Sequence, residues 1–289
     1  MAPLRLAFLG TPEASVPPLQ ALVAEGHDVA LVVTQPDRRR GRGGGLVSSP
    51  VKAAATAAGI RVSERVEDVM DAGVDLGVVV AFGRLVKPHV LERVPMVNLH
   101  FSLLPRWRGA APVERAILAG DTETGVCLMA VEAGLDTGPV HRCERVAIGA
   151  DETAAELRGR LVELGTAMLV DELGRGLGRP VPQVGEAIYA AKLEPDELRL
   201  DWARPATELH RVVRLGRAWT TFGGRRLRVR KAAVAGSGPE PGLLQGVVVG
   251  TGDGRGLALV EVQPEGRGPM TAADWLRGVR PEGRGAFLE

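Results

Sequence analysis

The sequence predicts an α/β protein: a mostly parallel sheet covered on both faces by helices, followed by a small basic β-barrel. Over the first two-thirds of the chain, short apolar runs ending in turn residues alternate with stretches of helical spacing, the pattern of a parallel sheet joined by crossover helices. A segment rich in Gly, Pro and charge, Gly176 to Arg204, interrupts this pattern, and from Ala206 onward short alternating segments separated by glycines take over. At 289 residues the chain is near two domain lengths. The expected division is residues 1–188, a linker at 189–205, and 206–289.

Leu4 to Leu9 is an apolar run that stops at the turn Gly10-Thr11-Pro12. Ser15 to Ala24 then has helical spacing with its prolines in the first turn, where a missing N–H costs nothing. Val29 to Thr34 repeats the buried-strand signal, and after a long polar loop the Ala-rich Val51 to Ala58 gives a second helix. Asp75 to Phe82 and Met96 to His100 are further strands, with a short Pro-led helix near Pro88 to Glu92 between them. A helix at Pro112 to Ala119, strands at Val126 to Val131 and Val140 to Ala147, and a long amphipathic helix from Thr153 to Gly174 complete the first part. Beyond Ala206 the expectation is a helix at Thr207 to Arg214, strands around Arg226 to Val234, Leu243 to Val249 and Leu257 to Val262, and a helix near Thr271 to Arg277. Short strands with Gly turns suit an OB-like barrel.

Composition narrows the function classes. Hydrophobic content of 45% and charge of 25% describe an ordinary globular protein. The longest apolar runs fall far short of the roughly 18 residues a membrane span needs, and the N-terminus lacks an export-signal pattern, so a cytoplasmic protein is expected. Cys127 and Cys143 lack CxxC spacing and are expected to be buried free thiols. Residues 206–289 carry 13 Lys+Arg against 8 Asp+Glu, whereas residues 1–205 carry 23 against 27. The densest stretch, Arg204 to Lys231, holds nine basic side chains against Glu208 alone. Such a face suits an anionic partner, nucleic acid above all.

Several common chemistries lose support. Gly10-Thr11-Pro12-Glu13 offers one glycine where a dinucleotide turn uses three. There is no GK[ST] loop, HExxH or GxSxG elbow.

One constellation does carry chemistry. Asn98 and His100 are two apart at the end of a strand, so both side chains point to one face. They stand at the carboxyl end of a parallel strand, where open α/β sheets place ligands, and Asn98 is the chain's single asparagine. Downstream, Glu132 to Pro139 joins two strands through a turn in which Asp136 is flanked by Gly134 and Gly138. An amide donor, an imidazole and a carboxylate on adjoining sheet ends suit acyl transfer. The alternative from another class is a silent RNA-binding protein on the same scaffold.

The string Asn98-Leu99-His100-Phe101-Ser102-Leu103-Leu104-Pro105, with Leu135-Asp136-Thr137-Gly138, resembles the signature of the 10-formyltetrahydrofolate-dependent formyltransferases. Pro105-Arg106-Trp107-Arg108-Gly109-Ala110-Ala111-Pro112, the opening Gly10-Thr11-Pro12, the loop from Gln35-Pro36-Asp37-Arg38 to Pro50-Val51-Lys52 and the connector from Ala191-Lys192-Leu193 to Asp201-Trp202 are similar to the branch acting on methionyl-tRNA. The resemblance implies a Rossmann-like formyltransferase domain followed by an OB-like tRNA-binding domain in a monomer. It implies 10-formyltetrahydrofolate as cosubstrate, initiator methionyl-tRNA as partner, and no metal. Asn98, His100 and Asp136 would then be catalytic. Ser102, Leu103, Leu104 and Pro105, with Val80, Ala81, Phe82 and Gly83, would meet the folate. Arg38, Arg39, Arg40 and Arg42, together with Arg211, Arg214, Arg228 and Lys231, would meet tRNA. Glycinamide ribonucleotide and an amino sugar nucleotide are the rival acceptors for the same triad. Phe101 stands where many members have glycine, and Leu215 to Trp219 keeps only the tryptophan of the family's aromatic-proline turn.

Overall fold

The computed structural model describes residues 3–39, 45–279 and 286–289. The chain divides into two compact units, Met1–Val113 with Glu123–Ala147 and Arg158–Ala191, and Glu114–Thr122 with Ile148–Leu157 and Lys192–Glu289.

In the first unit, β1 (Arg5–Gly10) leads through a Gly-Thr-Pro turn into α1 (Val16–Ala24), and β2 (Asp28–Val33) follows. Gly10 is there for packing, because a Cβ would sit 2.8 Å from Ser15 and 3.1 Å from the Val80 carbonyl. Ser15, instead of capping α1, donates its hydroxyl to that carbonyl at 2.7 Å. Beyond β2 come the two-residue hairpin strands β3 (Arg38–Arg39) and β4 (Leu46–Val47), then α2 (Pro50–Ala57), whose N-cap Ser49 accepts from Lys52 N. Next are β5 (Val62–Ser63), β6 (Leu76–Val80), α3 (Pro88–Leu91) and β7 (Met96–His100). Beyond them lie β8 (Arg106–Gly109), α4 (Pro112–Ala119), β9 (Glu123–Ala130), β10 (Val140–Ala147), α5 (Ala154–Arg175) and β11 (Ile188–Ala190). The boundary between units passes through α4 and α5. A capping box starts α5: Thr153 Oγ1 accepts from Glu156 N, and the Glu156 carboxylate accepts from Thr153 N.

The main sheet runs β10-β9-β7-β6-β1-β2-β5. Strands β5, β2, β1, β6 and β7 are mutually parallel, and β9 and β10 are added antiparallel. Every residue of β6 is buried, as expected of an interior parallel strand with both faces covered. Leu9, Leu31, Val33, Val79 and Met96 build the core on one face. Strand β7 lies between β6 and β9, with Asn98 beside Val79 and Met129, and His100 beside Cys127.

Cys127 and Cys143 are paired directly across β9 and β10 and are disulfide-linked, their Cα atoms 4.1 Å apart. This corrects the expectation of two buried free thiols: Cys127 is buried, but Cys143 is exposed on the outer strand. A separation of 16 residues does not reveal that the two strands fold back in register.

In the second unit, α6 (Ala206–Arg214) precedes β12 (Trp219–Phe222), β13 (Arg225–Ala235), β14 (Leu243–Gln245), β15 (Val248–Gly250), β16 (Gly256–Pro264), β17 (Met270–Thr271), α7 (Ala272–Val279) and β18 (Ala286–Phe287). The antiparallel order is β12-β13-β16-β15-β14-β18, with β17 on β16. The chain end closes the sheet on itself. Phe222 bridges Leu288, Thr221 N donates to Glu289 O at 2.8 Å, and Glu289 N returns a bond to Thr221 O at 3.0 Å. Closure removes the free edges a seven-stranded sheet would otherwise expose. Leu227 and Val229 of β13 point inward with Leu257, Leu259, Val262, Trp275 and Trp202. The single strand expected over Leu243 to Val249 is instead a hairpin, because Gly246 turns the chain at φ +58°.

Candidate active site

Asn98 and His100 project from one face at the end of β7, as the alternation requires. His100 is 5% exposed, while Asn98 is half-buried and its carboxamide pairs with no other described residue. Both imidazole nitrogens face oxygen acceptors. Nε2 lies 2.8 Å from the Trp107 carbonyl, which can only accept, so the ring proton is held on Nε2. Nδ1 lies 3.5 Å from Oδ2 of Asp136. That same Oδ2 accepts from Gly109 N at 2.8 Å.

Three backbone positions in the left-handed region make this convergence possible. Trp107 has φ +65°, Gly109 φ +117° and Asp136 φ +51°. At Gly109 a Cβ would also stand 2.9 Å from the Ala190 carbonyl, so only glycine delivers that N–H to the carboxylate. A strained tryptophan turns its carbonyl onto His100, and backbone strain of this kind collects at functional sites.

The strand-end residues expected to meet folate form a rigid edge beside this centre. The Val80 carbonyl takes the Ser15 hydroxyl, and the Phe82 carbonyl takes Gln35 Nε2 at 3.2 Å. Val80 and Phe82 are buried, whereas Ala81 (φ +46°) and Gly83 (φ +74°) are exposed. On the other side, Ser102 is fully buried and donates its hydroxyl to Arg106 O at 2.6 Å, closing the loop that carries Leu103, Leu104 and Pro105, all half-buried. Among the described residues no group of three His, Cys, Asp or Glu could hold a metal ion, and no helix is long and apolar enough to cross a membrane.

The basic residues separate into two kinds. Arg38 and Arg39 are exposed on the β3–β4 hairpin; Arg40 and Arg42 lie outside the described residues. Lys52 ties the base of this hairpin through a 2.8 Å bond to Asp37, which raises the ammonium pKa. On β13, Arg226, Arg228 and Lys231 are exposed, and Arg226 stacks 3.9 Å above the Trp219 ring. Arg214 is different. It is 8% exposed and donates to Glu152 O at 2.7 Å and Gly149 O at 2.8 Å, which corrects its expected place on an RNA-facing surface. Arg211 is half-buried with its guanidinium packed against Gly120.

Trp107 O and Gly109 N, which orient the imidazole and the carboxylate, are backbone groups that residue-type reasoning passes over. The one signal for them was a glycine inside an otherwise bulky loop.

The formyl transferase family matches residues 4–173, and its C-terminal domain family matches residues 192–280; the chain belongs to the formyl transferases. Its relatives include the methionyl-tRNA formyltransferase of Jannaschia sp. strain CCS1, 43% identical over 96% of this chain and 97% of that one. That of Dinoroseobacter shibae is 45% identical over 96% and 98%. Among solved structures, an N-formyltransferase from Helicobacter canadensis, in complex with folinic acid and dTDP-3-aminofucose, superposes with a TM-score of 0.69 at 17% identity, covering 90% of this chain and 99% of that one. Methionyl-tRNA formyltransferase from Clostridium thermocellum gives 0.59 at 15%, covering 80% and 93%. HypX from Aquifex aeolicus, in complex with tetrahydrofolic acid, gives 0.68 at 16% over 99% of this chain, which spans 51% of that longer protein. At these identities the structures speak for the fold.

Proposed function

We propose that the protein transfers the formyl group of 10-formyltetrahydrofolate to the α-amino group of initiator methionyl-tRNA. The observation that carries this reading is the meeting of Asn98, His100 and Asp136 beside the open edge at residues 80–83, in a chain whose relatives at over 40% identity are methionyl-tRNA formyltransferases. The folate supplies an activated formyl group. The amine nitrogen bonds to the formyl carbon, the bond from that carbon to N10 breaks, and the proton lost by the amine is balanced by the one N10 gains.

In this mechanism the Asn98 carboxamide donates to the formyl oxygen as it becomes an oxyanion, a contribution of about 3–4 kcal/mol for one such donor. His100, held by the Trp107 carbonyl at Nε2, relays the amine proton through Nδ1 on the Asp136 side, and the imidazolium so formed stabilises the same charge electrostatically. The Asp136 carboxylate stabilises the positive charge the imidazole gains as the amine proton moves and helps carry that proton away, and Gly109 N keeps the carboxylate turned inward. Ser102 to Pro105 meet the folate through backbone, because the Ser102 hydroxyl is already spent on Arg106 O.

Residues 1–188 serve as the catalytic part and 206–289 as the tRNA-holding part, in a cytoplasmic monomer. Arg38 and Arg39 with Arg40 and Arg42 reach the acceptor stem. Arg228 and Lys231, joined by Arg226 on Trp219, form a second phosphate-binding face. Half-buried Arg211 adds to it, whereas the buried Arg214 stands outside it.

The test is transfer of labelled formyl from 10-formyltetrahydrofolate with initiator Met-tRNA, glycinamide ribonucleotide and an amino sugar nucleotide offered in parallel. Label on Met-tRNA alone is expected. Label on a small acceptor would keep the chemistry and overturn the acceptor; label on none would leave an RNA-binding protein.

A further inference from the structure

We propose that Gln183, in the connector between α5 and β11, is a positioning residue for the transfer centre, acting through Asp136. The inference rests on the reading of Asp136 as part of that centre. Pro182 and Val184 on either side of Gln183 are exposed, Val184 at 86%, yet the Gln183 side chain is half-buried and turned inward. Its carboxamide is used to capacity. Nε2 donates to Asp136 O at 2.9 Å and to Gly138 O at 2.8 Å, and Oε1 accepts from Arg108 Nε at 3.0 Å and Nη2 at 2.6 Å. The opposite amide orientation would set an oxygen against two carbonyls and an NH2 against a guanidinium, so the partners fix which way it points.

These bonds join the two loops that must stay in register. Arg108 lies between Trp107, whose carbonyl holds His100, and Gly109, whose N–H holds the Asp136 carboxylate. Gln183 ties the Arg108 side chain to the backbone of Asp136 itself, a non-glycine residue at φ +51°. The connector is anchored on both sides of Gln183: Val181 exchanges two 2.8 Å backbone bonds with Val140, while Tyr189 and Ala190 pair with Arg108 and Gly109. A glutamine held this firmly keeps the Asp136 turn where its carboxylate meets both Gly109 and His100.

The experiment is a kinetic cycle on the full chain. Gln183→Ala should lower kcat about 10- to 100-fold, the cost of a small misplacement at a reacting centre, with KM for folate and tRNA and the unfolding midpoint close to wild type. Gln183→Glu keeps the acceptor for Arg108 but has no N–H for the two carbonyls, so it should be as slow as Gln183→Ala. In an Asp136→Asn background, followed by single-turnover formylation at enzyme excess, Gln183→Ala should cost no more than about a further twofold. An Asp136→Asn variant that is slow, but that Gln183→Ala slows again by the full factor, overturns the proposal, as does wild-type kcat in Gln183→Glu. An Asp136→Asn variant with wild-type kcat overturns the reading of the centre instead.

Discussion

Arg214→Met tests whether burial or charge decides what the basic residues of α6 do. The guanidinium is 8% exposed and satisfies two carbonyls, Gly149 O and Glu152 O, from within its own unit. Burial pushes its pKa down, opposed by the Asp151 and Glu152 carboxylates. Methionine fills a similar volume and removes both donors. The Gly149 carbonyl keeps its bond from Glu152 N at 3.2 Å, so the cost is that of taking the guanidinium from the Glu152 carbonyl, about 1–3 kcal/mol. Relief of the buried charge returns part of that, so the net loss is about 1–2 kcal/mol. In a unit of this size each kcal/mol lowers Tm by about 4–8 °C, so a fall of at least about 4 °C is expected. Thermal unfolding of the full chain reads this directly. Affinity for initiator Met-tRNA over a salt series, measured well below the lowered Tm, should keep its wild-type slope. A wild-type Tm, together with a shallower salt slope, would refute the argument and return Arg214 to the RNA face.

Replacing Asn98 by Ala should reduce kcat by about 100- to 1,000-fold with tRNA affinity unchanged, measured by formyl transfer and filter binding; unchanged turnover removes Asn98 from the mechanism. Alanine at Arg226, Arg228 or Lys231 should each flatten the slope of log affinity against log salt by about 0.7–0.9 per lost phosphate contact, and an unaltered slope in all three would place tRNA elsewhere. Gly109→Ala should cut kcat while the protein stays folded, because the Cβ meets the Ala190 carbonyl and the N–H leaves Asp136; wild-type kcat would show that bond to be dispensable. For His210, burial lowers the pKa below its usual 6.5, with Asp151, 3.4 Å away, opposing and Arg214 reinforcing the shift. The folded imidazole refuses a proton that the unfolded chain accepts. Its contribution to stability is therefore full above pH 6.5 and is lost as pH falls below it. His210→Asn should flatten the urea midpoint between about pH 6.5 and 5, and an identical decline in wild type and variant would assign it to other groups.

Periodicity made the strands and helices around the site legible. The buried runs at Leu4 to Leu9 and Asp75 to Phe82 became interior parallel strands, and the amphipathic stretch Thr153 to Gly174 became α5. What stayed hidden depends on contacts between distant residues. Arg106–Gly109 becomes a strand only because residues 188–190 lie alongside it. The barrel closes through Leu288 and Glu289, which carry no strand pattern of their own. Arg214 and Arg228 have the same side chain and nearly the same surroundings in sequence, yet one is buried and the other exposed, because α6 turns one flank into the core while β13 alternates. Charge density along the chain identified a basic region but could not sort its members.

The same distinction bears on the chemistry. Asn98, His100 and Asp136 were legible as candidates because the proposed chemistry lies in their side chains, and alternation in a strand says where those of Asn98 and His100 point. Their orientation is set by main-chain groups: Trp107 O for the imidazole, Gly109 N and the Gln183-held turn for the carboxylate. Such groups follow from backbone conformation. The sequence marks that conformation only where an alternative residue cannot fit, as at Gly109, where φ is +117° and a Cβ has no room. A substitution that preserves all three side chains can therefore still abolish transfer. The positions at which this is expected are those where a loop leaves ordinary backbone geometry to aim a carbonyl or an N–H at the centre.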